Sequence, residues 1–404
     1  MRLSTSLIYT QGYGGIARQQ EALIRTQAQL ASGKKITTAG DDPIAATQAQ
    51  ALTRSLGEAG MLSGNVAAAA SSLSHYDALL GQVGDLLQSV RTLAVQAGSA
   101  ALSPADRASL ATEAASDLQT LIGLANTRDA NGKYLFAGLA VDTQPFAAAP
   151  GGVAYSGDQG LHQLQVAPAR TLPISVTGSA VFMEAKNGNG AVTSRAVAGN
   201  AGSGVVAPAS VVTPAAQTGD TYRLQFNVAA GVTTYDVLDV TAGTTVSAGN
   251  AYVDGAAISV AGVQTAIRGA PANGDAFTLA PATRQSLFTT LSNLVATLQT
   301  PAATPGAATQ ISNGLGAALV DLDQGLDNVL TLRSGVGSEL RELDALDTAL
   351  SARTLQDEQT LSNVQDLDYN KALTEFAKQQ VALQAAQQSF AKVSGLSLFD
   401  YLQP

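Results

Sequence analysis

The chain has 404 residues, a formal net charge of -9 and no cysteine. This excludes a disulfide framework, a zinc–thiolate centre and a cysteine nucleophile, and no basic stripe offers a nucleic-acid partner. Hydrophobic residues reach 46% but aromatics only 5%, which favours alanine-rich helices in close approach over a dense aromatic pocket.

The first element is a helix with a seven-residue rhythm. Tyr9, Ile16, Leu23 and Leu30 recur at the spacing of a coiled-coil seam. The positions four residues on are Tyr13, Gln20 and Gln27, so the second seam position is mostly glutamine. Such a seam is too polar to hold a stable pair alone and suits a helix that orders when many copies pack together. Arg18, Glu21 and Arg25 lie where a secretory signal would need an apolar core, so no such signal is expected. A breaker follows at Ser32-Gly33-Lys34-Lys35, and Asp42 before Pro43 reads as a helix cap with a pre-organised first turn.

From Pro43 to about Ala97 the apolar residues step by threes, fours and sevens, which predicts one amphipathic helix of roughly 80 Å. Ser103-Pro104-Ala105-Asp106 opens another helix, expected to end near Asn131-Gly132. Lys133-Tyr134-Leu135-Phe136-Ala137-Gly138 reads as a short strand and turn.

Residues 140–282 change texture to Gly, Thr, Val and Pro. Tyr222 to Val228 alternates apolar and polar as a half-buried strand does. Further strands are expected at Leu164–Val166, Ile174–Val176, Tyr235–Val240, Ile258–Val260, Val263–Ile267 and Phe277–Leu279. The stretch Gly188–Pro214 reads as a flexible loop. Gly219-Asp220-Thr221-Tyr222 and Gly274-Asp275-Ala276-Phe277 echo each other, which suggests one turn-plus-strand unit at the two edges of a β module.

Helical texture returns at Thr283, with one helix over Ser286–Leu298 and a long run from about Ala307 to Val393, where Gly335 and Gly337 are possible interruptions. Its end repeats the opening rhythm: Tyr369, Phe376, Leu383 and Phe390, followed four residues on by Leu373, Gln380 and Gln387. The fold class expected is a mainly α rod of long antiparallel coiled-coil-like helices from both chain ends, with an inserted all-β, sandwich-like outer domain. The expected domains are residues 1–42 with 363–404, residues 43–139 with 283–362, and the insert 140–282.

Leu30-Ala31-Ser32-Gly33-Lys34-Lys35-Ile36, then Asp41-Asp42-Pro43, resembles the N-terminal region of the flagellin family. Asp366-Leu367-Asp368-Tyr369 resembles the acidic stretch that opens that family's terminal helix. The opening Met1-Arg2-Leu3-Ser4-Thr5-Ser6, the Lys133–Gly138 segment and the ending Leu396-Ser397-Leu398-Phe399-Asp400-Tyr401-Leu402 favour a hook–filament junction member over a filament-forming one. The resemblance implies a structural part of the bacterial flagellum, exported by the flagellar type III apparatus and needed for motility. It also implies self-association in a helical tube, with a first junction protein on the hook side, flagellin on the filament side and an export chaperone on the C-terminal region. The expected assembly residues are Tyr9, Ile16, Leu23, Leu30, Tyr369, Phe376, Leu383 and Phe390.

No catalytic, cofactor or metal site is expected. His75 and His162 are the only histidines and fall in different elements. Asp41 and Asp42 are better explained by helix capping than by calcium, which wants six or more oxygens. Asp366 and Asp368 suit a helix start, and Asn187-Gly188-Asn189-Gly190 lacks the context of a phosphate loop. A filament-forming flagellin is the alternative within the family. An enzyme carried in the insert is the alternative outside it, and a glycosidase would need paired acids with aromatic platforms, which the tryptophan-free insert does not offer. No apolar run approaches the ~18 residues of a membrane span.

Overall fold

The computed structural model describes residues 5–99, 102–302 and 304–395. Among the described residues the α-helices are α1 (Thr5–Ser32), α2 (Pro43–Ala97), α3 (Pro104–Ala125), α4 (Leu287–Gln299), α5 (Pro305–Gln365) and α6 (Tyr369–Gly395). Their limits follow local chemistry. The Ala45 amide donates to Asp42 Oδ1 at 3.0 Å, so Asp42 caps α2 as expected. Ser103 and Asp106 form a reciprocal capping box on α3, and Ser286 accepts from the Thr289 amide on α4. Helix α5 runs through Gly335 and Gly337 without interruption and stops before Asp366.

The chain divides into two compact units. One holds the chain ends, residues 1–65 and 345–404. The other spans residues 66–344. In this second unit α2 buries Leu73, Tyr76, Leu80, Val83, Leu87 and Val90, while α5 buries Leu315, Leu322, Val329 and Val336. Ion pairs tie the two helices at Arg91–Asp323 (2.5 Å) and Arg333–Asp77 (2.8 Å). Helices α3 and α4 pack on each other.

A compact aromatic cluster sits here despite the low aromatic content. Phe136, Phe146, Phe182 and Phe288 are fully buried, with ring centroids 5.2–5.6 Å apart between neighbours. This explains why residues 133–138 are not the expected strand. Leu135–Ala137 form a 3-10 turn that drives Phe136 into the cluster, and Gly138 follows at φ +68°. Helix α3 correspondingly ends at Ala125, short of Asn131-Gly132, because Asn126 leaves the helix and its side chain brackets the Phe146 backbone at 2.9 and 3.0 Å.

The β-rich segment is all antiparallel. It opens with hairpins β1 (Phe146–Ala149) with β2 (Gly152–Tyr155), and β3 (Gln163–Ala167) with β4 (Arg170–Pro173). The strand therefore precedes the expected Ile174–Val176. The remaining strands are β5 (Val192–Ala196), β6 (Val205–Val206), β7 (Ser210–Val211), β8 (Tyr222–Ala229), β9 (Val232–Asp239), β10 (Thr244–Ala251), β11 (Ala257–Val260), β12 (Val263–Arg268) and β13 (Ala276–Pro281). One sheet has the order β10-β9-β8-β13-β5, and the other joins β11, β12 and β6, with β7 on β12. Leu224, Phe226, Val237 and Phe277 from the first pack with Ile258, Val260, Val263 and Ile267 from the second, giving the sandwich-like core.

The echoed segments lie together, not at two edges: β8 and β13 pair directly, with Phe277 opposite Leu224. The small-residue stretch 188–214 is held, not flexible. It carries β5, β6 and β7, and Asn200 exchanges two hydrogen bonds of 2.9 Å with the Ala276 backbone. Glycine serves there for close approach: a Cβ on Gly202 would lie 2.3 Å from the Ala272 nitrogen.

Two hairpins turn on Ala-Gly pairs. Ala230 (φ +50°) and Gly231 (φ +79°) join β8 to β9, and both positions need the left-handed region. A β-carbon there costs about 1–2 kcal/mol, which asparagine partly relieves. Ala230→Asn is therefore expected to stabilise the chain by about 0.5–1 kcal/mol. Calorimetric melting tests this, and an unchanged or lower midpoint would show that the turn is unstrained.

Candidate assembly interface of the terminal helices

Helices α1 and α6 pack antiparallel in the unit formed by the chain ends. Tyr9 meets Phe390 edge to face at 5.9 Å, and Thr26 Oγ1 reaches Gln379 Oε1 at 2.9 Å. At the base of the pair a short antiparallel bridge joins Lys34 to Asp366. The Lys35 amide donates to Gln365 O at 2.7 Å and the Leu367 amide to Gly33 O at 3.0 Å. Gly33 sits at φ +69° beneath the Tyr369 hydroxyl, which a Cβ would approach to 2.8 Å. Only glycine fits both constraints.

The eight heptad residues lie on this pair, four on α1 and four on α6. Ile16, Leu23, Leu30, Phe376, Leu383 and Phe390 are half-buried, while Tyr9 and Tyr369 stay more open. Their inward partners lie three residues on, not four. Gly12, Gln19 and Thr26 on α1 and Ala372, Gln379 and Ala386 on α6 are half-buried or buried. Small side chains at these places let the helices approach: a Cβ on Gly12 would lie 2.7 Å from the Phe390 ring. The signal was present as a run of small and polar residues at the +3 spacing, but large residues at +4 masked it.

The +4 positions all face outward. Tyr13, Gln20, Gln27, Leu373, Gln380 and Gln387 are exposed. With Ile24 (65% exposed) and Val381 (67%), Tyr13 (71%) and Leu373 (54%) leave large apolar side chains uncovered on both helices. An isolated chain gains nothing from such exposure, whereas a helix that meets further helices does.

Below the pair, Asp41 organises the connection to α2. Its Oδ2 accepts from the Thr37 amide (3.0 Å), the Thr37 hydroxyl (2.8 Å) and the Thr38 amide (2.9 Å), and Arg25 lies 3.1 Å from Oδ1. The Thr38 and Thr37 hydrogen bonds, with Arg25 adding, hold its carboxyl at about 2, below its usual 3.8. The folded form thus resists protonation more than the unfolded one, so its stabilisation is complete above pH ~4 and lost as pH falls through about 2. Hydrogen exchange at Thr37 and Thr38 should stay slow at pH 4 and accelerate toward pH 2. Acceleration already complete near pH 4 would contradict the assignment.

The other candidate residues carry structural duties. Asp368 caps α6 through the Lys371 amide at 3.1 Å, and Asp366 accepts from Ser362 at 2.6 Å. Asn187–Gly190 form a turn closed by Asn189 Oδ1 on the Ala191 and Val192 amides. His75 is exposed on α2, and the His162 amide donates to Ser175 Oγ at 2.9 Å. Among the described residues no group of three acids or histidines could hold a metal, and no helix is long and apolar enough to cross a membrane. The segments 1–4 and 396–404, which carry part of the family resemblance, lie outside the described residues.

Comparison with known proteins gives a consistent picture. Residues 3–140 match the model of the bacterial flagellin N-terminal helical region. Over 99% of both chains the sequence is 28% identical to flagellar hook-associated protein 3 of Salmonella typhimurium, and equally extensively 29% identical to the protein of that name in Escherichia coli. The crystal structure of Xanthomonas campestris FlgL is 32% identical, covers 77% of this chain and 99% of its own, and superposes with a TM-score of 0.71. Hook-associated protein 3 of Legionella pneumophila is 27% identical over 78% of this chain and 98% of its own, with a TM-score of 0.74.

Proposed function

The chain belongs to the flagellin family, and from that membership we propose that it is a structural subunit of the bacterial flagellum, exported and seated at the junction between hook and filament. The observation that carries this reading is the likeness over almost the whole chain to hook-associated protein 3 of two organisms. It acts by assembly and performs no catalysis.

Assembly runs through the terminal helices. Tyr9, Ile16, Leu23, Leu30, Tyr369, Phe376, Leu383 and Phe390 serve it by holding α1 to α6. Tyr13, Ile24, Leu373 and Val381 supply the apolar surface that meets other copies. Residues 1–42 and 363–404 then line a tube, residues 43–139 and 283–362 form the helical layer around it, and residues 140–282 project outward. A first junction protein on the hook side, flagellin on the filament side and an export chaperone on the C-terminal region complete the set of partners.

Electron microscopy of motile cells with labelled antibody against the insert tests the placement. Label confined to a short zone at the distal end of the hook is the expected result. Label along the filament would make the chain a filament flagellin instead.

A further inference from the structure

Away from the terminal helices, a groove of about 370 Å3 lies between residues 159–184 and helix α5. Its apolar surface comes from Leu161, Pro173, Val176, Leu332 and Val336. Ser175 and Thr177 line it and are only 7% and 8% exposed. Ser175 Oγ accepts from the His162 amide at 2.9 Å and Thr177 Oγ1 from the Ala180 amide at 3.3 Å. Neither hydroxyl hydrogen has an acceptor among the described residues. Each hydroxyl therefore accepts one hydrogen bond and keeps its own hydrogen to donate.

The same groove carries a carboxylate. Glu339 is half-buried at its edge, and among the described residues it has neither an ion pair nor a hydrogen bond. Burial, and then the neighbouring Glu342, push its carboxyl above the usual range. Arg170 offsets this only in part, because its guanidinium is bound to Glu342 with two bonds of 2.7 and 2.9 Å. Glu184 also lines the groove, with Ser179 donating to it at 2.8 Å and Arg284 3.8 Å away. Between Thr177 and Glu184 the backbone forms a π-helical turn, Ser179–Met183, a rare conformation that concentrates at functional sites.

An uncovered apolar floor, two buried hydroxyl donors and an unpaired half-buried carboxylate are answered together by one chemistry. A peptide segment brings a backbone carbonyl for the hydroxyls, a bulky side chain for the floor and a Lys or Arg for Glu339. We propose that this groove is a docking site for a segment of a partner protein that carries a lysine or arginine beside a large apolar residue. The site is separate from the terminal helices and does not rest on the junction reading.

The test uses the full chain with methyl groups labelled for NMR and the peptide acetyl-Leu-Lys-Leu-amide as probe. Saturable shifts at the Val176, Leu332 and Val336 methyls are expected, with acetyl-Leu-Glu-Leu-amide binding at least about tenfold more weakly. Glu339→Gln should erase most of that preference without lowering the melting temperature, since it removes an unpaired charge. Thr177→Val, which keeps the shape and removes one donor, should weaken the Lys peptide by about threefold. Equal binding of the two peptides, an unaltered preference in Glu339→Gln, or no saturable shifts at those methyls would overturn the proposal. Equal occupancy by hexylamine alone would also overturn it, making the groove a small-amine site.

Discussion

Asp321→Ala is expected to destabilise the chain by about 3–5 kcal/mol, more than any other single change considered for the 66–344 unit. The Asp321 side chain is 5% exposed and projects from α5. Its Oδ1 accepts from the Gly188 amide at 2.8 Å, Arg195 Nη2 lies 2.7 and 2.6 Å from the two oxygens, and Gln285 Nε2 donates to Oδ2 at 3.0 Å. One carboxylate thus joins the 187–190 turn, strand β5 and the start of α4 to α5. Removing it leaves the Arg195 charge, a buried amide and a glutamine without their acceptor. The double change Asp321→Leu, Arg195→Met removes the stranded charge and should recover more than half of the loss. Denaturant unfolding followed by fluorescence checks both. A single variant within about 1 kcal/mol of the parent would show that water replaces the carboxylate easily. Neighbouring polar residues on the same face of α5 act in the same way: Asn313 spans Val206 and Gly204, and Asn328 donates to Ala180 O at 2.9 Å.

The pair Tyr13→Glu, Leu373→Glu is expected to abolish incorporation into the flagellum while leaving the free chain intact. Both side chains are more than half exposed on α1 and α6, so carboxylates there meet only water in the isolated protein. Exposed substitutions of this kind change stability by about 0.5 kcal/mol or less. In an assembled wall the same carboxylates would be buried without partners, at a cost of several kcal/mol per subunit. Leu383→Glu should behave differently. Leu383 is half-buried on α6, so the charge should loosen the α1–α6 pair in the free chain as well as block assembly. Far-UV circular dichroism reads the free chain and swarming with microscopy reads assembly. Normal swarming of the outward double variant would show that this face is solvent in the flagellum. An unaltered spectrum for Leu383→Glu would show that the pair does not form before assembly.

Whatever depends on neighbours along the chain could be read directly. The 55-residue α2 from Pro43 to Ala97 follows from one cap, one proline and an unbroken apolar stripe. Strand β8 follows from strict alternation over Tyr222–Val228, and the two terminal helices from a shared seven-residue rhythm. The family was legible in the Leu30–Pro43 segment because that hook obeys local hydrogen-bond rules: an αL glycine, an aspartate closing on two threonines, and a second aspartate on a helix start.

Tertiary structure decided what depends on distant residues. Whether the +3 or the +4 partner faced inward was set by how closely α1 could approach α6, and small side chains at Gly12 and Ala372 made +3 the inner choice. The phenylalanines of the Phe136 cluster come from separate elements, Phe136 and Phe146 from one stretch and Phe182 and Phe288 from distant ones, so the cluster, and the 3-10 turn that feeds Phe136 into it, left no periodic trace. Residues 188–214 looked flexible because glycine and alanine are poor strand formers alone. They are ordered because their small side chains let Asp275 and Asn313 reach their backbone, while Asn200 within them binds the Ala276 backbone. Local pattern fixes where a helix or strand forms; the face it turns inward, and at places such as the end of α3 its limit, is settled by what it meets.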